Sequence, residues 1–223
     1  MGLNVARESK AARRTRAQAI ARGLAKAYPD AWCELDYRTP WQLLVATILS
    51  AQCTDKMVNQ VTPELFAEFP SPGALAAAPP PQIERLIHRT GFFRQKTKSL
   101  QGAARGVVER HGGEVPAEME ALTKLAVVGR KTANVVRGTA FGLPAIFVDT
   151  HVARLANRLG LTLSDDPKQI ELDLQDLLPP KQWTAFAHRL IHHGRRICAA
   201  RKPRCSVCPV ARWCPRIGVT VSA

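Results

Sequence analysis

The chain has 223 residues, of which 46% are hydrophobic, so it is long enough for one large or two small domains with a buried core. Lysine and arginine number 32 against 18 acidic residues, and the formal net charge of +14 favours a polyanionic partner, above all nucleic acid. The longest apolar run, residues 43–49, is too short to span a bilayer, and the start lacks a myristoylation motif and a secretory signal, so we expect an intracellular protein without a membrane partner.

Apolar periodicity and turn residues predict an all-α protein, with residues 145–148 as the one extended connector. Residues 1–26 are rich in Arg, Lys and Ala, which fits a transit peptide or, as we prefer, a helix with a basic face. The predicted helices and helical runs, in chain order, span residues 17–28, 41–50, 56–66, 73–77, 81–90, 96–111, 122–125, 135–141, 150–159, 167–178 and 181–193.

Two helical runs flank a tight turn at residues 127–129, which predicts a helix–turn–helix-like hairpin. The second helix should begin near Arg130, so that its free N–H groups and positive dipole end form a phosphate site, which Gly129 lets a nucleic-acid backbone approach. The dipole and Arg130 disfavour the charged form of Lys131, and a neutral amine can form a Schiff base. The alternative is that Arg130 and Lys131 are a solvated basic corner.

Asp149 follows the extended connector and precedes a helical run, which predicts that it caps that helix. Its carboxylate could equally stabilise a developing cation or move a proton, and the two roles are compatible.

Four cysteines near the C-terminus have the spacing C-x6-C-x2-C-x5-C, namely Cys198, Cys205, Cys208 and Cys214. Without export signals, thiols at this spacing favour metal or cluster ligation over disulfides, and the spacing alone leaves zinc and an iron–sulfur cluster open. The loop between the first two cysteines contains Arg201, Lys202 and Arg204, which either contact phosphates or form a solvated charge run. Cys33 and Cys53 receive no role.

The run from Leu125 to Val136, with Val148-Asp149-Thr150-His151, resembles the helix-hairpin-helix signature of endonuclease III, a DNA base-excision glycosylase and lyase. The cysteine spacing matches that of the [4Fe–4S] cluster in the same family. The resemblance covers about residues 19–214. It implies two helical domains with a DNA-binding cleft between them: a six-helix barrel domain with the hairpin, residues 33–143, and a discontinuous domain with the cluster, residues 1–32 and 144–223.

The resemblance also implies the chemistry. An oxidised pyrimidine such as thymine glycol is flipped out of duplex DNA, Lys131 attacks the sugar C1′, and Asp149 stabilises the cationic sugar before β-elimination nicks the strand. DNA contacts are implied at Val128, Gly129, Arg130, Thr132, Arg201, Lys202 and Arg204. Gln52 would fill the space left by the base, Asp55 and His151 would line the lesion pocket, and Phe92 would be the wedge.

One departure from the family lies in the hairpin turn, which usually reads Leu-Pro-Gly-Val-Gly and here reads Leu125-Ala126-Val127-Val128-Gly129. If the first glycine position requires a positive φ, Val127 is strained there, and DNA binding should be weaker than with the full motif.

Two rival functions stay open. A monofunctional glycosylase, such as an adenine glycosylase, shares the hairpin, aspartate and cluster pattern, but Lys131 argues against it. A non-catalytic DNA-binding protein is the other rival. The leading interpretation is a monomer acting on duplex DNA that contains an oxidised pyrimidine or an abasic site, in the cytoplasm with the nucleoid if the source is bacterial.

Overall fold

The computed structural model describes residues 8–223, within which the regular structure is entirely helical, as the sequence predicts. The first seven residues of the predicted basic segment lie outside the described range. None of the helices in residues 8–223 has the length and apolarity needed to cross a membrane. The α-helices of that range are α1 Lys10–Ala27, α2 Pro40–Leu49, α3 Asp55–Glu68, α4 Pro72–Ala77, α5 Pro80–Ile87, α6 Phe93–His111, α7 Met119–Thr123, α8 Arg130–Thr139, α9 Thr150–Arg158, α10 Pro167–Leu177 and α11 Trp183–Arg196.

The largest difference from the predicted helix bounds is at α1, which begins at Lys10 instead of residue 17. Ser9 caps this start, because its hydroxyl accepts a hydrogen bond from the Ala12 N–H at 3.2 Å. The first turns carry few apolar residues, so hydrophobic periodicity does not reveal them. Arg14 instead donates to the Asp176 carbonyl at 2.7 Å and ties this part of α1 to α10.

Residues Cys33–Leu143 form one compact unit, which contains α2 to α8. Helix α2 is its buried centre, as predicted, with Leu43, Leu44 and Val45 wholly excluded from solvent. Helices α4 and α5 pack on α6, while α2 and α7 pack on α8. The unit contains seven α-helices, of which α4 and α7 are short elements of 6 and 5 residues. The candidate hairpin is formed by α7, the following turn and α8.

The described residues up to Trp32, together with Pro144–Ala223, form the second compact unit. Helix α11 packs against α1 and α9, and α10 packs against α1 and α9. Their apolar faces share one core that includes Ile20, Leu24 and Phe186. The predicted connector at residues 145–148 is non-helical and buried, and it leads directly to Asp149 at the start of α9.

Candidate functional site

The hairpin leaves the N-terminus of α8 open to an outside ligand. Helix α8 begins at Arg130, as predicted, with Gly129 as its N-cap and no side-chain cap. Lys131 is exposed in its first turn. A Cβ added at Gly129 would meet nothing within 4 Å, so packing inside the protein does not require a glycine there. The position therefore suits the close approach of a backbone from outside the protein.

The turn before α8 lies close against α6. A Cβ added at Gly102 would come within 3.0 Å of the Ala126 Cβ, and one at Gly106 within 3.0 Å of the Leu125 Cδ2. Val127 itself is 57% exposed and has a φ of +58°. A positive φ at this position is the condition under which a valine is strained. The turn thus carries a left-handed, β-branched residue on its outer side.

Asp149 caps α9, as predicted, since its Oδ1 accepts a hydrogen bond from the Val152 N–H at 2.8 Å. The carboxylate is half-buried and stands where the positive end of the helix dipole favours negative charge. His151 lies in the first turn of the same helix, with its Nδ1 3.1 Å from Nη2 of Arg154. Gly194 of α11 is packed tightly here, because an added Cβ would come within 2.9 Å of the His151 ring.

Two arginines of α9 hold the start of the cysteine segment. Arg154 donates to the Cys198 carbonyl at 3.0 Å, and Arg158 donates to the carbonyls of Ala199 and Ala200, each at 2.6 Å. The helix that begins at Asp149 therefore ends against the loop that follows the first cysteine. Sequence reasoning missed both arginines, and the only signal for them was their spacing of four on one helix.

The four cysteines predicted as ligands line a single cavity in this unit. Three of the sulfurs have a nearby nitrogen: Nη1 of Arg158 lies 3.5 Å from Cys198 Sγ, the Arg216 N–H 3.4 Å from Cys214 Sγ, and Nε2 of His193 3.5 Å from Cys208 Sγ. Such donors suit sulfurs that bear negative charge. The set therefore fits a group bound by thiolates.

Whereas these donors favour negatively charged sulfurs, burial favours the neutral thiols. It raises the pKa of Cys208, and it raises the pKa of Cys214 to about 11. The neighbouring cysteines raise both values further, because converging thiolates repel one another. A positive ion or cluster would offset both effects. Within residues 8–223, no group of three or more His, Cys, Asp or Glu side chains has the arrangement of a site for one metal ion.

The basic loop between the first two cysteines is tied down while its cations stay exposed. The Arg204 N–H donates to the Ile197 carbonyl at 2.9 Å, and Arg158 binds the other end of the loop as described above. Lys202 has a left-handed backbone with φ +46°. The three predicted phosphate-binding side chains are all exposed: Arg201, Lys202 and Arg204.

Two further predicted residues occupy left-handed backbone positions in the unit Cys33–Leu143. Gln52 has a φ of +51°, and Phe92 has a φ of +49° with 67% of its side chain exposed. Asp55 begins α3, with its side chain half-buried. Lys96, in the first turn of the helix that follows Phe92, is buried, and its Nζ donates to the Thr90 carbonyl at 2.8 Å.

Comparison with known proteins identifies the family. The family described as "HhH-GPD superfamily base excision DNA repair protein" matches residues 45–180. Endonuclease III of Synechocystis is 56% identical over 206 residues, covering 92% of this chain and 94% of that protein. Endonuclease III of Escherichia coli K12 is 39% identical over 186 residues, covering 83% and 88% of the two chains.

Solved structures give the same result. A trapped endonuclease III–DNA covalent intermediate matches with a TM-score of 0.85 at 41% identity, covering 90% of this chain and 95% of that one. A non-covalent endonuclease III–DNA complex matches with a TM-score of 0.85 at 42% identity, covering 90% and 94%. The chain therefore belongs to the endonuclease III family of the helix-hairpin-helix base-excision repair proteins, and it is a DNA glycosylase and abasic-site lyase.

Proposed function

We propose that this enzyme removes oxidised pyrimidines, such as thymine glycol, from duplex DNA and nicks the strand at the abasic site. The observation that carries the proposal is the exposed Lys131 in the first turn of a helix without a side-chain cap, two residues after a glycine that internal packing does not require. Duplex DNA as the partner is supported by the two matching structures, which contain endonuclease III with DNA. The net charge of +14 favours the same partner, and we propose that a monomer binds it.

Lys131 is the nucleophile in this proposal. Its Nζ attacks the sugar C1′, and the base leaves with the bonding electron pair and takes up a proton. The sugar ring then opens to a Schiff base between Lys131 and C1′. Loss of a proton from C2′ and cleavage of the C3′–O bond nick the strand, and water finally releases Lys131.

Asp149 is the residue that stabilises the cationic sugar as the base departs. A carboxylate anchored through one oxygen to the Val152 N–H is held in a fixed orientation, which is what electrostatic stabilisation of a transition state requires. Its role as a cap uses one carboxylate oxygen as an acceptor, and its role in the reaction uses the negative charge.

The DNA contacts in the proposal come from the hairpin and the basic loop. Val128, Gly129, Arg130 and Thr132 surround the N-terminus of α8, where free N–H groups suit a phosphate. The exposed cations of the basic loop add electrostatic contacts, at Arg201, Lys202 and Arg204.

The lesion is handled by a second group of residues in this proposal. The exposed ring of Phe92 is an apolar wedge for a base step, and Gln52 fills the space of the extruded base. Asp55 and His151 are assigned to the lesion pocket. The left-handed backbone at Phe92 and Gln52 supports these assignments, because strained backbone positions cluster at functional sites.

We propose that Cys198, Cys205, Cys208 and Cys214 hold a [4Fe–4S] cluster, since all four line one cavity. Four cysteine ligands leave no open coordination position, so the cluster would fix the basic loop instead of entering the reaction. Visible absorbance and iron analysis of protein purified without air test the assignment. A colourless protein loaded with zinc would contradict it.

The experiment for the activity is borohydride trapping, which reduces the Schiff base to a stable amine. Wild-type protein should become cross-linked to a duplex with thymine glycol and to a duplex with an abasic site. Lys131→Ala should trap neither. Lys124→Ala is the matched control, because Lys124 is an exposed lysine of the same hairpin, paired with Glu120 at 2.8 Å, and it should trap both.

The outcomes separate the alternatives. Trapping on the abasic duplex alone would confirm the lyase nucleophile and contradict the proposed base. Release of a base without trapping would indicate a monofunctional glycosylase, and DNA binding without either activity would indicate a binding protein.

A further inference from the structure

A chain of three side chains leads from the end of α1 to one of the cysteines. Tyr28, the C-cap of α1, has its Oη 2.8 Å from Nδ1 of His193 in α11. The other ring nitrogen of His193, Nε2, lies 3.5 Å from Sγ of Cys208. His193 is 1% exposed and Tyr28 is 9% exposed, so water has little access to either contact.

The direction of these hydrogen bonds follows from the groups themselves. A thiolate that ligates iron has lone pairs and no proton, so it can only accept. His193 must then carry its proton on Nε2 and donate it to Cys208. A neutral imidazole has a single N–H, which leaves Nδ1 as an acceptor, and the Tyr28 hydroxyl is the donor that satisfies it.

Tyr28 thereby selects the tautomer of His193. Without the phenolic proton, only the contact with the sulfur favours a proton on Nε2, and the alternative tautomer would direct a lone pair at the sulfur. Partners that fix the tautomer of a histidine at a metal centre are a general feature of such sites.

A hydrogen bond to a ligating sulfur withdraws electron density from it and favours the more reduced cluster. We propose that Tyr28 and His193 are positioning residues that aim one N–H at the sulfur of Cys208 and raise the reduction potential of the cluster. The inference rests on the proposed [4Fe–4S] ligation. Its consequence is a cluster that resists loss of an electron to oxidants, as suits a cluster that holds a loop in place.

Tyr28→Phe is a conservative substitution that tests this inference, because it removes the hydroxyl and keeps the ring. The chain has one other tyrosine, Tyr37, whose hydroxyl donates to the Thr139 carbonyl at 3.1 Å in the unit Cys33–Leu143. Tyr37→Phe therefore removes a comparable phenol bond in the unit that does not contain the four proposed ligands, and it is the matched control.

Iron content and visible spectra are measured first, on protein purified without air, and the midpoint potential of the cluster follows by film voltammetry. We expect Tyr28→Phe to keep its iron and to shift the ratio of oxidised to reduced cluster roughly tenfold at a fixed potential, which is a fall of about 59 mV for a one-electron couple. Bleaching by ferricyanide should be faster in the same variant. Tyr37→Phe should match the wild type in both measurements.

Equal potentials in all three iron-loaded proteins would overturn the inference and leave the cluster assignment intact. Absence of iron in the wild type would overturn the cluster assignment and the inference with it. Because Tyr28→Phe could lose iron through misfolding, the tautomer is also read directly in wild-type protein labelled with ¹⁵N-histidine. A proton on Nε2 of His193 supports the inference, and a proton on Nδ1 overturns it.

Discussion

Val127 and Gly129, two residues apart in the hairpin turn, have backbone conformations that would suit the opposite assignment of residue types: the valine is left-handed and the glycine is extended. Val127 is left-handed with φ +58°, whereas Gly129 is extended with φ −80° and ψ 173°. A β-branched residue is strained in the left-handed region, and the extended region admits any residue. The chain therefore carries strain at the turn that precedes Lys131, and Gly129 does not relieve it.

Val127→Gly should stabilise the protein and strengthen DNA binding. A left-handed conformation costs an L-residue roughly 1–2 kcal/mol, and Val127→Gly removes this cost. The greater freedom of glycine in the unfolded chain reduces the gain by about 0.5–1 kcal/mol. We expect a net gain of about 1 kcal/mol in the free energy of unfolding, by urea titration. Affinity for an abasic duplex should rise several-fold, because a smaller residue lets the turn approach the phosphate.

Val108→Gly is the control for this prediction. Val108 is 39% exposed in α6, where glycine is unfavourable, so the same substitution should destabilise the protein by about 0.5 kcal/mol and leave DNA affinity unchanged. Unchanged or weaker affinity in Val127→Gly would contradict the prediction.

Asp149→Asn should separate the two roles of the carboxylate. Asparagine caps helices as well as aspartate does, so the free energy of unfolding should stay within about 0.5 kcal/mol of the wild type. The negative charge is lost, and base release measured in single turnover should fall by roughly 10²–10³-fold. Asp149→Ala should lose a similar factor in rate and also about 1 kcal/mol of stability, because the bond to the Val152 N–H disappears. An active Asp149→Asn would show that Asp149 serves only as a cap.

Local rules were enough to predict several features of the site. The cap at Asp149 and the start of α8 at Arg130 each follow from a few neighbouring residues, whereas the positive φ at Val127 was raised only as a condition, by comparison with the family motif. Such features depend on backbone sterics and helix ends, which a single sequence displays.

The contacts that join distant segments were not predictable in the same way. Arg158 meets the loop 41 residues later, and Tyr28 meets His193 across 165 residues of sequence. Lys96 has a flexible stem, and only the fold shows that it turns inward to the Thr90 carbonyl. Charge and aromatic content identify such residues as polar or bulky, but their partners are set by tertiary packing.

Gly23→Ala should destabilise the packing of the cysteine segment, although it changes no cysteine. An added Cβ would come within 2.9 Å of Val210 Cγ1 and 3.0 Å of the Trp213 ring, and Val210 is completely buried. Overpacking of this kind costs roughly 1–3 kcal/mol. We expect less iron per chain and a lower free energy of unfolding.

Gly73→Ala is the control, because the new Cβ would meet only the Ser71 Oγ at 3.9 Å. Its iron content and its free energy of unfolding should be equal to those of the wild type or higher. Equal iron content and stability in the two variants would contradict the prediction.

His188 should make the free energy of unfolding depend on pH. Its ring is buried between Trp32 and Phe147, with centroid distances of 4.9 and 4.8 Å. Burial, and secondarily the charge of His192, lower the pKa of His188 from 6.5 to about 3. The folded protein therefore keeps this ring neutral at pH values where the unfolded chain binds a proton.

Stability must then fall as the pH drops from 6.5 towards 3, because the unfolded state binds one more proton at this residue. The slope is about 1.4 kcal/mol per pH unit, so His188 alone should remove roughly 2 kcal/mol between pH 7 and pH 5. His188→Phe keeps an aromatic ring in the same space and removes the titrating group. The urea unfolding free energy of this variant should fall less than that of the wild type over the same interval, by about 2 kcal/mol. Parallel pH dependence in the two proteins would show that folding does not lower the pKa of His188, and it would contradict the prediction.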